Sequence, residues 1–467
     1  MSYMVDPCEW QRHQKYDRIA PLWCVQLTFR TLLVLVSGTP MIPNEWWLAL
    51  GVMLSVTATV PAAESEDAKL AAYFQTFLDA DFKARPLTAT MLGDHRYDDR
   101  LDDLTPAARK AQLDHFQSTL NKLRQSIDYD KLTRAGQIDL EIFESYLKRT
   151  LWDADNSKPF ENDPRTYTTY LSDSVWLILT QSTLPKERNL QNAAARIRQI
   201  PQILAAAKLS IRQPAGILLE TAIRQTQGAI AFYEKDIFII TGESLPTSEL
   251  TKPSQKAVAA LKEYITFLES LRSNANGEWR IGKAKFAEKL PLELDAGLTA
   301  DEVLKLARSE SDRVVKEMYV IARQLWSQLY PDKALPPDDE AGRQYTIRAV
   351  LAVLNRDHGK ADNLVVDARA GVDKIKAFIK AKDLLRLPEP DQCKIIEMPE
   401  FQRGYSVAYL NPAPPLDPRG NSYYAISPPP RDWDNRRVQS FLQEYNRSML
   451  QILTIHEAYP GHYVQLE

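Results

Sequence analysis

Cysteine is scarce in this chain, and its scarcity bears on how the fold is held together. The three cysteines among 467 residues are Cys8, Cys24 and Cys393. Two of them sit close to the N-terminus and leave Cys393 alone, so there is no disulfide framework. Cys393 is read as a small core residue, and no local signature supports a Cys/His nucleophilic pair. An excess of one charge is also missing, since 58 Lys and Arg offset 61 Asp and Glu for a formal net charge of -3. That balance removes the electrostatic footprint of a nucleic-acid partner. Long acidic or basic runs are absent, which excludes a charged tail or a basic membrane-surface patch. No fixed-period repeat occurs, which disfavours a solenoid. What the chain does have is length and apolar content, 44% of its residues. That suffices for a large core, as one helical domain or as two or three smaller ones.

The first 63 residues read as a leader. Trp46 to Val56 form an apolar core that leads into Val60-Pro61-Ala62-Ala63. This is the layout of a secretory signal over residues 41–63, cleaved near Ala62 or Ala63. It is shorter than the ~20 apolar residues of a spanning helix. Residues 1–40 read as a mis-assigned start or an unusual leader. The expectation is export to the periplasm or outside the cell, with an uncleaved N-terminal segment as the one route to membrane attachment.

Residues 64–467 are expected to form the folded body, mainly α. Thr105 to Ile127, Gln137 to Leu151, Leu190 to Ile211, Leu218 to Ile237 and Lys252 to Ser273 repeat apolar residues at three- and four-residue spacing. Thr299 to Leu329 carries a stripe of Val303, Ala307, Val314, Met318, Ile321, Leu325 and Leu329, read as core-facing. Thr299 and Glu302 form a capping box at its start. Beyond Leu387, prolines exclude helix across most of the next forty residues. Lys394 to Met398, Tyr405 to Leu410 and Ser422 to Ile426 are strand candidates there. The last two flank the turn-rich Asp417-Pro418-Arg419-Gly420-Asn421 and predict a hairpin. A small antiparallel sheet therefore precedes a final helix, running from about Trp433 through Leu450 into a histidine motif.

That motif holds two of the six histidines: Ile455-His456-Glu457-Ala458-Tyr459-Pro460-Gly461-His462. Two histidines four apart on a helix can share a zinc ion, with a Glu beside the first placed to deprotonate the metal-bound water. Here the second His lies six residues on, ~120° around a straight helix. Pro460 cannot donate to the carbonyl of His456, and Gly461 can take conformations closed to other residues. A break there would carry His462 back toward His456. The competing reading is a helix end, with Pro-Gly as terminator and histidines favoured by the dipole.

The stretch resembles a bacterial family known as domain of unknown function 885, grouped with zinc metallopeptidases and marked by His-Glu-x-x-Pro-Gly-His with a Gln three residues on, here Gln465. Arg85 to Asp99, Gly282 to Leu290, Gly297 to Val303 and the hairpin ending in Tyr423-Tyr424 extend the likeness over roughly residues 66 to 467. The resemblance implies zinc as cofactor, His456 and His462 as its ligands, and Glu457 as general base. Members often carry a second His where this chain has Tyr463, which either offers a hydroxyl to a tetrahedral intermediate or packs. It also implies a third ligand, usually Glu, from a downstream helix. Only five residues follow His462, so the site is expected to be C-terminally incomplete, with Glu467 a frayed terminal residue and Glu444 upstream solvated.

His95, His115 and His358 read as surface or capping residues. Tyr405, Tyr409, Tyr423 and Tyr424 either line a groove where an extended peptide pairs with the sheet edge or form the half-buried face of the hairpin. Three functions follow: an exported zinc peptidase-type hydrolase acting on peptides, a catalytically dead truncated fragment, or a non-enzymatic helical binding protein. Nothing in the sequence sets an oligomeric state.

Overall fold

The computed structural model describes residues 65–467, apart from 245–246 and 404–405. The leader and signal-like segment fall outside the described residues, as does Tyr405. The body is mainly α. Helices α1 (Glu66–Ala84), α2 (Pro86–Leu92), α3 (Pro106–Ser126) and α4 (Arg134–Asn156) open it, followed by the short α5 (Pro159–Asn162). Then come α6 (Arg165–Thr180), α7 (Lys186–Ser210), α8 (Gly216–Ala231), α9 (Ile237–Thr241) and α10 (Thr251–Ser270). A π-helical turn over Phe232–Asp236 joins α8 to α9. The helices α11 (Gly282–Leu294), α12 (Ala300–Leu329), α13 (Glu340–Leu354) and α14 (Leu364–Ala381) lead to the sheet. Side-chain caps fix several starts: Ser65, Thr105 and Thr133 each accept a backbone N–H three residues on. The capping box of Thr299 and Glu302 is present as expected. None of the described helices is long and apolar enough to cross a membrane.

The largest core packs Leu171 and Val175 of α6 against Ile197 and Leu204 of α7, Leu219 of α8 and Leu261 of α10. A second is aromatic, with Phe74 and Phe77 of α1, Phe116 of α3 and Phe143 of α4. A small third cluster joins α12 to α13 through Tyr319, Ala322, Trp326, Ile347 and Val350. This corrects the reading of the α12 stripe. Val314 and Ile321 are 39% and 57% exposed, and the buried residues lie one position around the helix. The reason is that α12 packs mainly on one partner, α13, which meets the Tyr319 side of its C-terminal half.

Three strands follow: β1 (Cys393–Glu397), β2 (Ala408–Asn411) and β3 (Ser422–Ile426). The hairpin of β2 and β3 forms as expected, with Leu410 opposite Tyr424. The sheet is mixed rather than antiparallel, because β1 lies parallel to β3 in the order β1-β3-β2. The final helix is also not continuous. It divides into α15 (Asn435–Glu444) and α16 (Arg447–Glu457), followed by α17 (His462–Leu466). Asn446 causes the division, since its side chain accepts from the Met449 N–H and starts a new helix. Ile375 and Ile379 of α14, Ile395, Leu410, Tyr424, Leu450 and Tyr463 share a core that ties the sheet to these last helices.

Candidate metal centre

The helix α16 ends through its own hydrogen bonds. Thr454 O accepts from both Ala458 N at 2.9 Å and Tyr459 N at 3.2 Å. Pro460 has no N–H to give, so the carbonyl of His456 is released from the helical ladder. Gly461 then passes so close that a Cβ there would lie 1.8 Å from His456 O. Only glycine fits, and α17 restarts at the next residue. The turn brings the rings of His456 and His462 to 4.6 Å between centroids, at 72° to one another. One donor atom each from His456, Glu457 and His462 falls within 4.8 Å of the others.

The three groups differ in setting. Both imidazoles are exposed, while Glu457 is 7% exposed. Its Oε2 accepts from His462 Nδ1 at 2.9 Å and from the backbone N–H of Leu410 at 3.1 Å. The outer edge of β2 thus fixes the carboxylate, and the carboxylate fixes one ring. Behind it, Thr454 Oγ1 donates to Leu450 O and pairs with the Tyr424 hydroxyl at 3.2 Å.

Among the described residues, the tyrosines near the motif are buried or half-buried and hydrogen-bonded. Tyr463 is fully buried, and its hydroxyl accepts from Gln392 N at 2.9 Å. The shared face with His456 required a regular helix, and the break rotates Tyr463 into the core instead. Tyr424 is also fully buried, and burial pushes its hydroxyl above the usual range. Tyr423 is half-buried and donates to Thr180 O at 2.8 Å; Tyr409 bonds to Gln402. Tyr423 and Tyr424, as neighbours in β3, pack on opposite faces of the hairpin. Glu467 accepts from Ser422 Oγ at 3.1 Å, and neither it nor Glu444 joins the histidine cluster.

His95 departs from the surface reading, as its ring is sandwiched between Asp98 and Asp417. His115 is exposed and stacks on Phe77, and His358 bonds to the neighbouring Gly359 carbonyl. Sequence reasoning missed Leu410, because its contribution is a main-chain N–H with no side-chain signature. The nearest available signal was a strand edge leading toward a His-Glu helix.

The family described as "Bacterial protein of unknown function (DUF885)" matches residues 86–467. The chain belongs to this family. No curated protein matches the DUF885 chain. A solved structure described as a "putative lipoprotein of unknown function" from Shewanella oneidensis is 29% identical, with a TM-score of 0.63 over 85% of this chain and 71% of that one. A second, described as the "putative lipoprotein" from Colwellia psychrerythraea, is 16% identical, with a TM-score of 0.61 over 86% of this chain and 72% of that one. At that identity the second likeness bears on fold alone.

Proposed function

We propose that His456, Glu457 and His462 form a zinc site and that the chain is an exported, peptidase-type hydrolase. The observation that carries this reading is the convergence of the three groups across the Pro-Gly break. Two imidazoles and a carboxylate suit zinc, which takes nitrogen and oxygen ligands. The residues therefore fit the ion, with His456 and His462 as its holders. Bound zinc would supply a Lewis acid and a water acidified toward neutral pH.

The chain's own contribution is orientation and proton transfer. Glu457 directs His462 by taking a hydrogen bond from Nδ1, which leaves Nε2 as the free ring nitrogen. The Leu410 N–H keeps Oε2 engaged, so Oε1 is the oxygen left to accept a proton. Export is supported by the signal-like residues 41–63 and by the lipoprotein description of the Shewanella relative.

One observation favours a second reading, metal binding without turnover. No fourth His, Cys, Asp or Glu joins the cluster among the described residues, and Glu457 is already committed to His462. Zinc content and peptide cleavage separate the two. The full chain, dialysed against zinc, should hold one ion by mass spectrometry, and His456→Ala and His462→Ala should each lose it. Chelator-sensitive cleavage of a peptide library, abolished in Glu457→Gln with zinc retained, would support the hydrolase. Stoichiometric zinc without cleavage selects the second reading, and absence of bound zinc in the parent chain overturns both.

A further inference from the structure

The loop between β2 and β3, residues 412–421, is docked on the corner after α2 by a cluster of buried charge. Gly93, at φ 89°, lets the chains meet, because a Cβ there would lie 2.5 Å from Asp417 N. Leu416 N donates to Leu92 O at 2.8 Å. Next to that contact, His95 Nδ1 lies 2.8 Å from Asp98 Oδ2 and Nε2 lies 3.0 Å from Asp417 Oδ2. Carboxylate oxygens accept and do not donate, and a neutral imidazole has a single N–H. Both contacts are therefore hydrogen bonds only when His95 is an imidazolium.

We propose that His95 is a pH-operated latch, whose imidazolium clamps the 412–421 loop to the α2 corner and whose deprotonation releases the loop at Asp417. The other charged groups around the ring are carboxylates and guanidiniums, each with partners of its own. Asp98, fully buried, also accepts from Thr90 Oγ1 at 2.6 Å and lies 3.8 Å from Arg196 Nη2 of α7. Asp417 accepts from Thr183 N at 3.0 Å, and Arg419 reaches Thr183 Oγ1 at 3.5 Å. Asp94 and Arg96 flank the ring in sequence and pair with each other.

The bond to Asp98 holds the His95 pKa above its ordinary value, burial opposes that, and Asp417 adds to the rise. A raised folded pKa means the clamp is fully present below the unfolded value and is lost as pH climbs through the folded one. Asp417, held below its ordinary value by Thr183 and His95 against the effect of burial, stays ionised across that range. The latch opens on the alkaline side. Two residues before the loop, Leu410 supplies the N–H that holds Glu457. The latch does not depend on zinc or on hydrolysis.

Hydrogen exchange of the full chain, read from about pH 5 to about pH 9 and corrected for intrinsic rates, tests this. Peptides covering 412–421 should lose protection in one alkaline step, by about tenfold for each unit separating folded and unfolded pKa values. The step should vanish in His95→Gln and persist in His115→Gln. An identical step in His95→Gln, or a loop that stays protected throughout, overturns the latch. Should His95→Gln fail to fold, ring-nitrogen NMR of the parent chain decides. A His95 midpoint above 6.5 with both nitrogens protonated below it is expected, and a neutral ring in acid overturns the proposal.

Discussion

At residue scale the candidate site depends on Gly461 as much as on its histidines. The histidines supply donors, but the missing side chain at Gly461 lets the backbone fold over His456 O. A methyl group there has nowhere to go, because the clashing atom is main chain. Gly461→Ala is expected to cost about 1–3 kcal/mol, the range of an overpacked site. It should also separate the two rings, so zinc binding falls with stability; urea unfolding and a zinc titration on the same preparation read both. Full zinc affinity in Gly461→Ala would show that the turn does not set the ligand spacing. The pair His456 and His462 and the break between them were legible in the sequence, because proline and glycine constrain backbone locally. The partner of Glu457 was not, since Leu410 acts through its main-chain N–H and lies 47 positions away.

At the scale of elements, the same contrast between local and distant signals recurs. The capping box at Thr299 and the β2–β3 hairpin were readable because each is decided within a short stretch of chain. The parallel pairing of β1 with β3 was not, as it joins Cys393 to Ser422 across an intervening strand and two loops. The α12 stripe misled because periodicity shows that a helix has an apolar side without showing that a partner covers it. Asn446 was overlooked as a stop because residues on both sides continue a helical pattern. It caps α16 through Met449 N and also donates to Asn355 Oδ1 at 3.0 Å. Asn446→Ala should therefore destabilise the chain by about 1–2 kcal/mol, read as a lower urea midpoint. Asn446→Asp, which keeps the cap acceptor, should recover most of the loss. Equal losses in both variants would assign the effect to Asn355 rather than to the cap.

At the scale of the whole molecule, the question is how far a bound ion would stabilise the fold. The candidate ligands span only His456 to His462, so zinc would bridge a short segment and not one lobe to another. The distant ties in this region are protein contacts: the carboxylate of Glu457 on Leu410, and Asp391 accepting from Tyr459 OH at 2.5 Å while pairing with Lys376 of α14. A ligand that binds only the folded state adds about 2.7 kcal/mol at a hundredfold excess over Kd. Two histidines this close in sequence also chelate in the unfolded chain, and binding to the unfolded state subtracts from that gain. Removing zinc with a chelator should then lower unfolding stability by less than about 2.7 kcal/mol at that excess, while abolishing any hydrolysis. Calorimetry with and without chelator, at a zinc concentration set from the measured Kd, checks the figure. A loss at the full value would mean that the unfolded chain holds no zinc, and would point to a further ligand contributed from a distant part of the fold.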